Sequence, residues 1–146
     1  MIMYKFEIMF KSVMQHYPLE PVGNHYPTAT FPTADAILRG IANAMGLKLE
    51  SEEEYASFKE KFTFDVKSEK ADHPVTVYTD FEEDPETDEV RYVDYIVDAA
   101  FKITVYGEKE DLLKANDALK HPYYFVNLGG QTPSRFIVKE IEEVEE

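Results

Sequence analysis

Apolar and polar residues alternate near the start of the chain. The apolar positions are Tyr4, Phe6, Ile8 and Phe10, and the positions between them are Lys5, Glu7, Met9 and Lys11. A period of two is typical of a β-strand with one buried face. The pattern therefore predicts that the first element is a strand.

The alternation stops at a stretch rich in residues that break regular structure. Residues Gln15 to Pro32 contain four prolines, at positions 18, 21, 27 and 32, together with Gly23 and Asn24. Proline lacks an N–H donor and fixes its own backbone angle, so this density excludes a regular helix. We expect a long ordered loop here.

Helical spacing begins directly after the loop. Thr33 has the chemistry of an N-cap, and Asp35 lies in the first turn, where the helix dipole favours a carboxylate. The apolar stripe consists of Ile37, Leu38, Ile41, Ala44 and Met45, and Gly46 ends the helix as a C′ residue. Phe31 and Pro32 are expected to hold the loop against the core.

A second, shorter helix is predicted from a capping box. Ser51 and Glu54 have the spacing of that motif, and Tyr55, Phe58 and Phe62 are expected to share one helix face.

Two strand-like segments, Val75 to Thr79 and Ala99 to Tyr106, flank a run of acidic residues. This acidic excursion, Asp80 to Glu89, contains seven carboxylates in ten residues: Asp80, Glu82, Glu83, Asp84, Glu86, Asp88 and Glu89. Mutual repulsion predicts a loop that is extended, mobile or bound to a basic partner.

The C-terminal part repeats the helix and strand signals. Residues Glu108 to Leu119 have a helical pattern, the apolar run 123–128 and Phe136 to Ile141 have strand patterns, and 140–146 is predicted to be a frayed acidic tail. The order of elements predicts an α+β fold of the ferredoxin-like type, with an antiparallel sheet and two main helices in a single domain spanning 1–146.

Composition narrows the possible functions. The chain has 146 residues, 29 acidic and 15 basic side chains and a formal net charge of −14, so its surface as a whole repels phosphate backbones. It contains no cysteine, which excludes disulfides, thiolate catalysis and cysteine zinc sites. No segment is apolar enough to span a membrane, and we expect a cytoplasmic protein without cofactors.

The residues that could support catalysis or metal binding are scattered. His16, His25, His73 and His121 do not have the spacing of a metal site. His16 and His25 lie beside Tyr17 and Tyr26, so a His/Tyr acid–base pair is conceivable, but no partner residue is evident. We predict neither a catalytic nor a metal site.

Two other features suggest binding. The glycine turn Asn127 to Pro133 can present backbone N–H groups to a phosphate, although a tight strand connection is the favoured explanation. The carboxylates of the acidic excursion can form a solvated loop, or they can imitate phosphates and bind Lys and Arg side chains of a nucleic-acid-binding partner.

Three blocks of the sequence resemble the CRISPR-associated protein family five (Cas-five). The blocks are Tyr26-Pro27-Thr28 with Phe31-Pro32-Thr33 and Met45-Gly46-Leu47, then Asp94 to Gly107, then Asp117 to Gly130. The resemblance is nearest to the E subtype. It implies an RRM/RAMP-type ferredoxin-like fold and a role as the type I Cascade subunit that holds the 5′ handle of the guide RNA. The handle-side surface would then include Tyr26, Thr28, Thr30, Thr33, Gly129, Gly130 and Gln131.

The sequence departs from the family where the family has basic residues. Tyr26, Thr30 and Ala34 stand at such places, and Gly130-Gln131 replaces a pair of arginines. The chain is short for the family, and the thumb hairpin is expected to be reduced to the acidic excursion. Each missing Arg or Lys removes a charge-assisted phosphate contact, which makes direct RNA binding doubtful.

Two functions follow from the resemblance. The favoured one is a non-catalytic subunit mimic that binds Cascade protein subunits, either the backbone or the large subunit, and blocks assembly or target binding, as an anti-CRISPR protein does. The alternative is a reduced but working subunit that caps the RNA handle, with aromatic stacking in place of arginines. An enzyme that cuts guide precursors is the least favoured reading.

Overall fold

The computed structural model describes residues 3–69, 75–122, 128 and 134–144. Within them the chain forms seven strands and three helices. The strands are β1 (Tyr4–Gln15), β2 (His25–Tyr26), β3 (Phe62–Ser68), β4 (Thr76–Glu83), β5 (Val90–Gly107), β6 (Ser134–Val138) and β7 (Glu142–Glu143). The helices are α1 (Ala34–Ala44), α2 (Glu52–Lys59) and α3 (Lys109–Lys120).

The core sheet has the ferredoxin-like arrangement. Strands β1, β3, β5 and β6 with helices α1 and α3 follow one another as β-α-β-β-α-β, and the order across the sheet is β3-β5-β1-β6 with every pair antiparallel. The predicted α+β, RRM/RAMP-type fold is therefore confirmed.

Strand β5 extends well beyond this core. Its second half pairs with β1 and β3, whereas its first half pairs with β4 on one edge and with the short parallel strand β2 on the other. The β4–β5 hairpin is thus continuous with the central strand of the core. Asp98 lies near the change of partner from β4 to β3 and has a left-handed backbone angle, φ +51°.

All three helices pack on one face of the core sheet. The alternating residues Phe6, Ile8 and Phe10 of β1 are buried against Ile37, Leu38 and Ile41 of α1 and Leu112 and Leu119 of α3. Phe58 of α2 completes this core. The other face of the sheet carries the alternate residues of the same strands, which are mostly polar but include Met9, Val13 and Ile137.

The helix boundaries follow the predicted caps. The Thr33 side chain accepts a hydrogen bond from the backbone N–H of Ala36, and Gly46 adopts the left-handed angle φ +73° that a C′ residue needs. Ser51 accepts likewise from Glu54 at the start of α2.

The prediction for Phe62 is wrong. Phe62 does not continue the face of α2, because α2 ends at Lys59 and Phe62 begins β3. Its ring still packs edge-on against Phe58, with 5.3 Å between ring centroids. The spacing of four residues therefore reflects a contact across a turn, and the whole of β3 is missing from the sequence-based assignment.

The acidic excursion is also different from the prediction. Asp80 to Glu83 belong to β4, and only 84–89 form the turn, which Asp84 closes by donating its N–H to Glu89 O. The hairpin extends over Thr76 to Val97, so it is not limited to the acidic residues. The charges are tolerated in β4 because their side chains reach water.

Three further predictions need correction or lie outside the described residues. The proline-rich loop contains the two-residue strand β2, and within the acidic tail Glu142 and Glu143 pair with Tyr4 and Lys5 of β1. The apolar run, apart from Leu128, lies outside the described residues, as do 145–146. No helix in the described part of the chain is long and apolar enough to cross a membrane.

Candidate functional site

The proline-rich loop folds back against the sheet through buried hydrogen bonds. Tyr17 is fully buried, and its hydroxyl donates to Gln15 Oε1 at 2.5 Å while the Gln15 amide donates to the backbone O of Ala99 at 2.9 Å. Burial raises the pKa of Tyr17 well above its usual value. Thr28 Oγ1 accepts from the Tyr17 N–H at 2.7 Å, which holds both ends of the loop together.

Asp94 connects this loop to the hairpin. One carboxylate oxygen accepts from the Thr79 hydroxyl at 2.6 Å and lies 2.9 Å from His25 Nε2. His16 Nδ1 donates to the backbone carbonyl of the same residue at 2.7 Å. Burial alone would raise the pKa of Asp94, but the hydrogen bond from Thr79 and the nearby imidazoles of His25 and His16 lower it below its ordinary value.

A groove of about 670 Å³ lies between the loop and the tip of the hairpin. Its lining includes Tyr26 from β2 and Glu82, Glu83 and Glu89 from the hairpin. Arg91 also lines it, with its guanidinium 5.6 Å from the centre of the Tyr26 ring and 2.7 Å from Glu82. The single cation of the groove is thus paired with a carboxylate of the same groove.

The seven carboxylates of the acidic excursion fall into two groups. Glu82 accepts from Arg91 and from the Tyr95 hydroxyl, Asp80 accepts from the Phe81 N–H, and Asp84 accepts from the Glu86 N–H. Within the part of the chain that the structure describes, the other four side chains are exposed and make no hydrogen bond or ion pair; they are Glu83, Glu86, Asp88 and Glu89. These four are the carboxylates available to a partner.

The predicted handle-side residues are not all on one open surface. Thr28 is 7% exposed and engaged in the loop, and Thr33 serves as the cap of α1. Tyr26 lines the groove and Thr30 is exposed. Gly129, Gly130 and Gln131 lie outside the described residues. Pro32 is buried as expected, but Phe31 is 53% exposed and does not hold the loop to the core.

Sequence reasoning missed the residues that join loop and hairpin. Asp94 and Arg91 were passed over because neither belongs to a recognisable spacing motif. Residues 92, 94 and 96 share one face of β5, but the pairing that brings His25 of β2 beside them has no local signal in the sequence. In the described residues, no group of three or more His, Asp or Glu side chains is arranged to hold a metal ion.

The ferredoxin-like sheet and the long hairpin with an ordered proline-rich loop define a RAMP-type protein. The sequence profile of the CRISPR-associated protein (Cas_Cas5) family matches residues 14–137, and the chain belongs to this family. The match includes the loop, the hairpin and all of β5.

Solved structures support the same fold. A chain of a "CRISPR RNA-guided surveillance complex" superposes with a TM-score of 0.69 at 21% identity, over 86% of this chain and 57% of that one. A "Crystal structure of Cas protein" gives a TM-score of 0.61 at 20% identity, over 88% of this chain and 57% of that one. The chain thus spans less than two thirds of the length of either. No curated protein sequence matches it.

Proposed function

We propose that the chain is a non-catalytic protein with the shape of the Cas-five family that docks on protein subunits of a type I Cascade and blocks assembly or target binding. The observation that carries this proposal is the set of four exposed and unengaged carboxylates at the hairpin tip, Glu83, Glu86, Asp88 and Glu89. Because they lie on one tight turn and the adjoining strand ends, they present several negative charges within a short distance.

The groove beside the tip supports the same proposal. Its one cation, Arg91, is paired with Glu82, so the groove offers mainly carboxylate oxygens to a ligand. Such a surface is complementary to Lys and Arg side chains and repels phosphate groups. Subunits that bind a guide RNA have surfaces rich in these cations, and a fold of the correct shape would bring the carboxylates to them.

A reduced working subunit is the second candidate, and one observation favours it. The Arg91 guanidinium is more than half exposed beside the Tyr26 ring, an arrangement that can stack on a base of a bound RNA. In this function Glu82 would have to release Arg91 when a phosphate binds.

A binding experiment distinguishes the two candidates. The purified protein is mixed with guide-RNA handle and, separately, with Cascade subunits that lack their own Cas-five, and complexes are followed by size exclusion and filter binding at two salt concentrations. Subunit binding without RNA, together with failed assembly or lost target-DNA binding, supports the mimic. Handle binding that weakens with salt supports the working subunit and contradicts the mimic.

Charge-reversal variants test the residues. The triple change Glu83→Lys, Glu86→Lys and Glu89→Lys is expected to weaken subunit binding at least tenfold. The matched control reverses three exposed glutamates around α2, Glu50→Lys, Glu53→Lys and Glu60→Lys, and leaves binding within about twofold. Equal losses in both variants would mean that only net charge matters.

A further inference from the structure

The open face of the core sheet, opposite the helices, carries a cluster of cations. Lys67 of β3 stands directly opposite Lys102 of β5, and Lys11 of β1 stands directly opposite Arg135 of β6. These four positions alternate with residues of the helix-side core, of which Ile103 and Phe10 are buried and Val66 and Phe136 are partly buried. We call them the cationic diagonal, because they run from β3 to β6 across all four core strands.

The register makes this arrangement costly for the fold. Side chains directly opposite each other on neighbouring strands lie about 5 Å apart at Cβ, and like charges in such positions are destabilising. The chain has nearly twice as many acidic as basic side chains, so two cation–cation pairs on one face are not a consequence of composition. Of these four cations, only Lys67 has an ion pair with a described residue, Asp65, at 3.9 Å.

Apolar side chains accompany the cations. Ile137, which is 66% exposed, and Met9 stand opposite each other in the same row as Lys102, and Val13 is 47% exposed two positions beyond Lys11. Isolated exposed apolar residues are ordinary, but here they lie between unpaired cations. The neighbouring row of the same face holds Glu7, Thr104 and Asp65. A ligand that covers the cations but not this acidic row therefore needs negative charges and apolar groups together.

We infer that the cationic diagonal binds an extended protein segment in which carboxylates and apolar side chains alternate. Successive outward side chains of an extended segment lie about 6.6 Å apart, which is comparable with the spacing of about 7–8 Å between diagonal neighbours on a sheet. Its carboxylates would meet Lys102, Lys11 and Arg135 while its apolar groups cover Ile137 and Met9. This surface is distinct from the acidic hairpin tip and does not depend on the proposed function.

The overall charge favours such a segment over a nucleic acid. A long polyanion is repelled by the net charge of −14 beyond the reach of the four cations, whereas a short segment places most of its charge on them. Sequence-tolerant binding of single strands also uses aromatic platforms. The uncharged side chains in the rows of the diagonal are instead Met9, Ile137 and Ala100.

Synthetic probes test this inference on the full chain. The first is a twelve-residue peptide alternating Glu and Val, the second alternates Glu and Ser, and the third is a twelve-nucleotide oligouridylate. Fluorescence anisotropy at low salt is expected to give the tightest binding for the Glu/Val peptide, with at least tenfold weaker binding at high salt. Tighter binding of the oligouridylate, or no binding of the Glu/Val peptide, overturns the proposal.

The variant Lys11→Glu with Lys102→Glu is expected to lose at least tenfold in affinity for the Glu/Val peptide. It is expected to melt at an equal or higher temperature, because the new glutamates stand opposite Arg135 and Lys67 and turn both cation–cation pairs into salt bridges. The control Lys48→Glu with Lys59→Glu makes the same charge change on the helix side and is expected to keep the affinity within about threefold. If the reversed variant fails to fold, Lys11→Gln with Lys102→Gln replaces it. Retained affinity in the variant that folds overturns the proposal.

Discussion

His25 Nε2 lies 2.9 Å from a carboxylate oxygen of Asp94, and this contact joins the proline-rich loop to the β4–β5 hairpin. The two residues are far apart in sequence. His25 belongs to β2 and Asp94 to β5, and the parallel pairing of these strands places both side chains on one face of the sheet. Because the same oxygen accepts from Thr79, Asp94 bridges β2, β4 and β5.

The acid stability of the protein should depend on Asp94. Its folded-state pKa lies below the ordinary value of 3.8, so the folded chain holds this proton less tightly than the unfolded chain. Its stabilising contribution is therefore complete above about pH 4 and is lost as the pH falls through the lower, folded-state pKa. Asp94→Asn is expected to be less stable than the parent at pH 7 and to have a shallower decline below pH 4. Urea unfolding at several pH values measures both differences. If the free energy of unfolding falls with pH by the same amount in both proteins, the lowered pKa of Asp94 is contradicted.

Thr28 should be important for the fold rather than for ligand contact. Thr28→Val keeps the shape of the side chain but leaves the buried Tyr17 N–H without its acceptor, which costs about 1–3 kcal/mol in free energy of unfolding. Thr28→Ser retains the hydroxyl and should cost clearly less. Chemical denaturation compares the two variants, and a Thr28→Val variant that is as stable as Thr28→Ser would contradict the importance of this hydrogen bond.

Gly107, at the end of β5, lies against the turn between α2 and β3. A Cβ at this position would lie 2.7 Å from the backbone O of Lys61, so Gly107→Ala must displace either the end of β5 or the start of β3. We expect a loss of about 1–3 kcal/mol in free energy of unfolding. Gly23→Ala is the comparison, because its Cβ meets nothing within 4 Å and only its left-handed angle, φ +62°, opposes the change. A smaller loss of stability for Gly107→Ala than for Gly23→Ala would contradict the predicted clash with the backbone O of Lys61.

Restoring positive charge should restore an affinity for RNA. The triple variant Tyr26→Arg, Thr30→Arg and Ala34→Arg places guanidinium groups where the family has basic residues. If the parent fails to bind the guide-RNA handle for lack of cations, this variant should bind it measurably, with affinity that falls as salt is raised. Filter binding at two salt concentrations provides the measurement. Tight handle binding by the parent itself, or no gain in the variant, would contradict the mimic.

The elements with local signals were predictable from sequence, and those fixed by distant contacts were not. The alternation in β1, the Thr33 cap and the Gly46 C′ position are encoded within a few residues, and the structure has all three. Strand β3 was missed because Phe58 and Phe62 happen to have helical spacing. The acidic half of β4 resembled a loop because its charged residues are unusual in a strand. Its pairing with β5 is a contact between distant parts of the chain and has no signal in the local sequence.

The candidate site was predictable only in part for the same reason. The acidic residues stand out by composition, but their division into engaged and available carboxylates depends on Arg91 and Tyr95, which lie across the hairpin. No spacing rule in the sequence indicates that Glu82 is already occupied.

The length of β5 has a mechanical consequence. Its 18 residues form one arm with a contour length of about 60 Å, at roughly 3.3 Å per residue, and the arm begins next to the hairpin tip and ends just before α3. A load applied at the tip is therefore transmitted along a single backbone into the centre of the core, with no linker to absorb it. Asp98, whose left-handed angle interrupts the extended geometry, is the position where such an arm would bend.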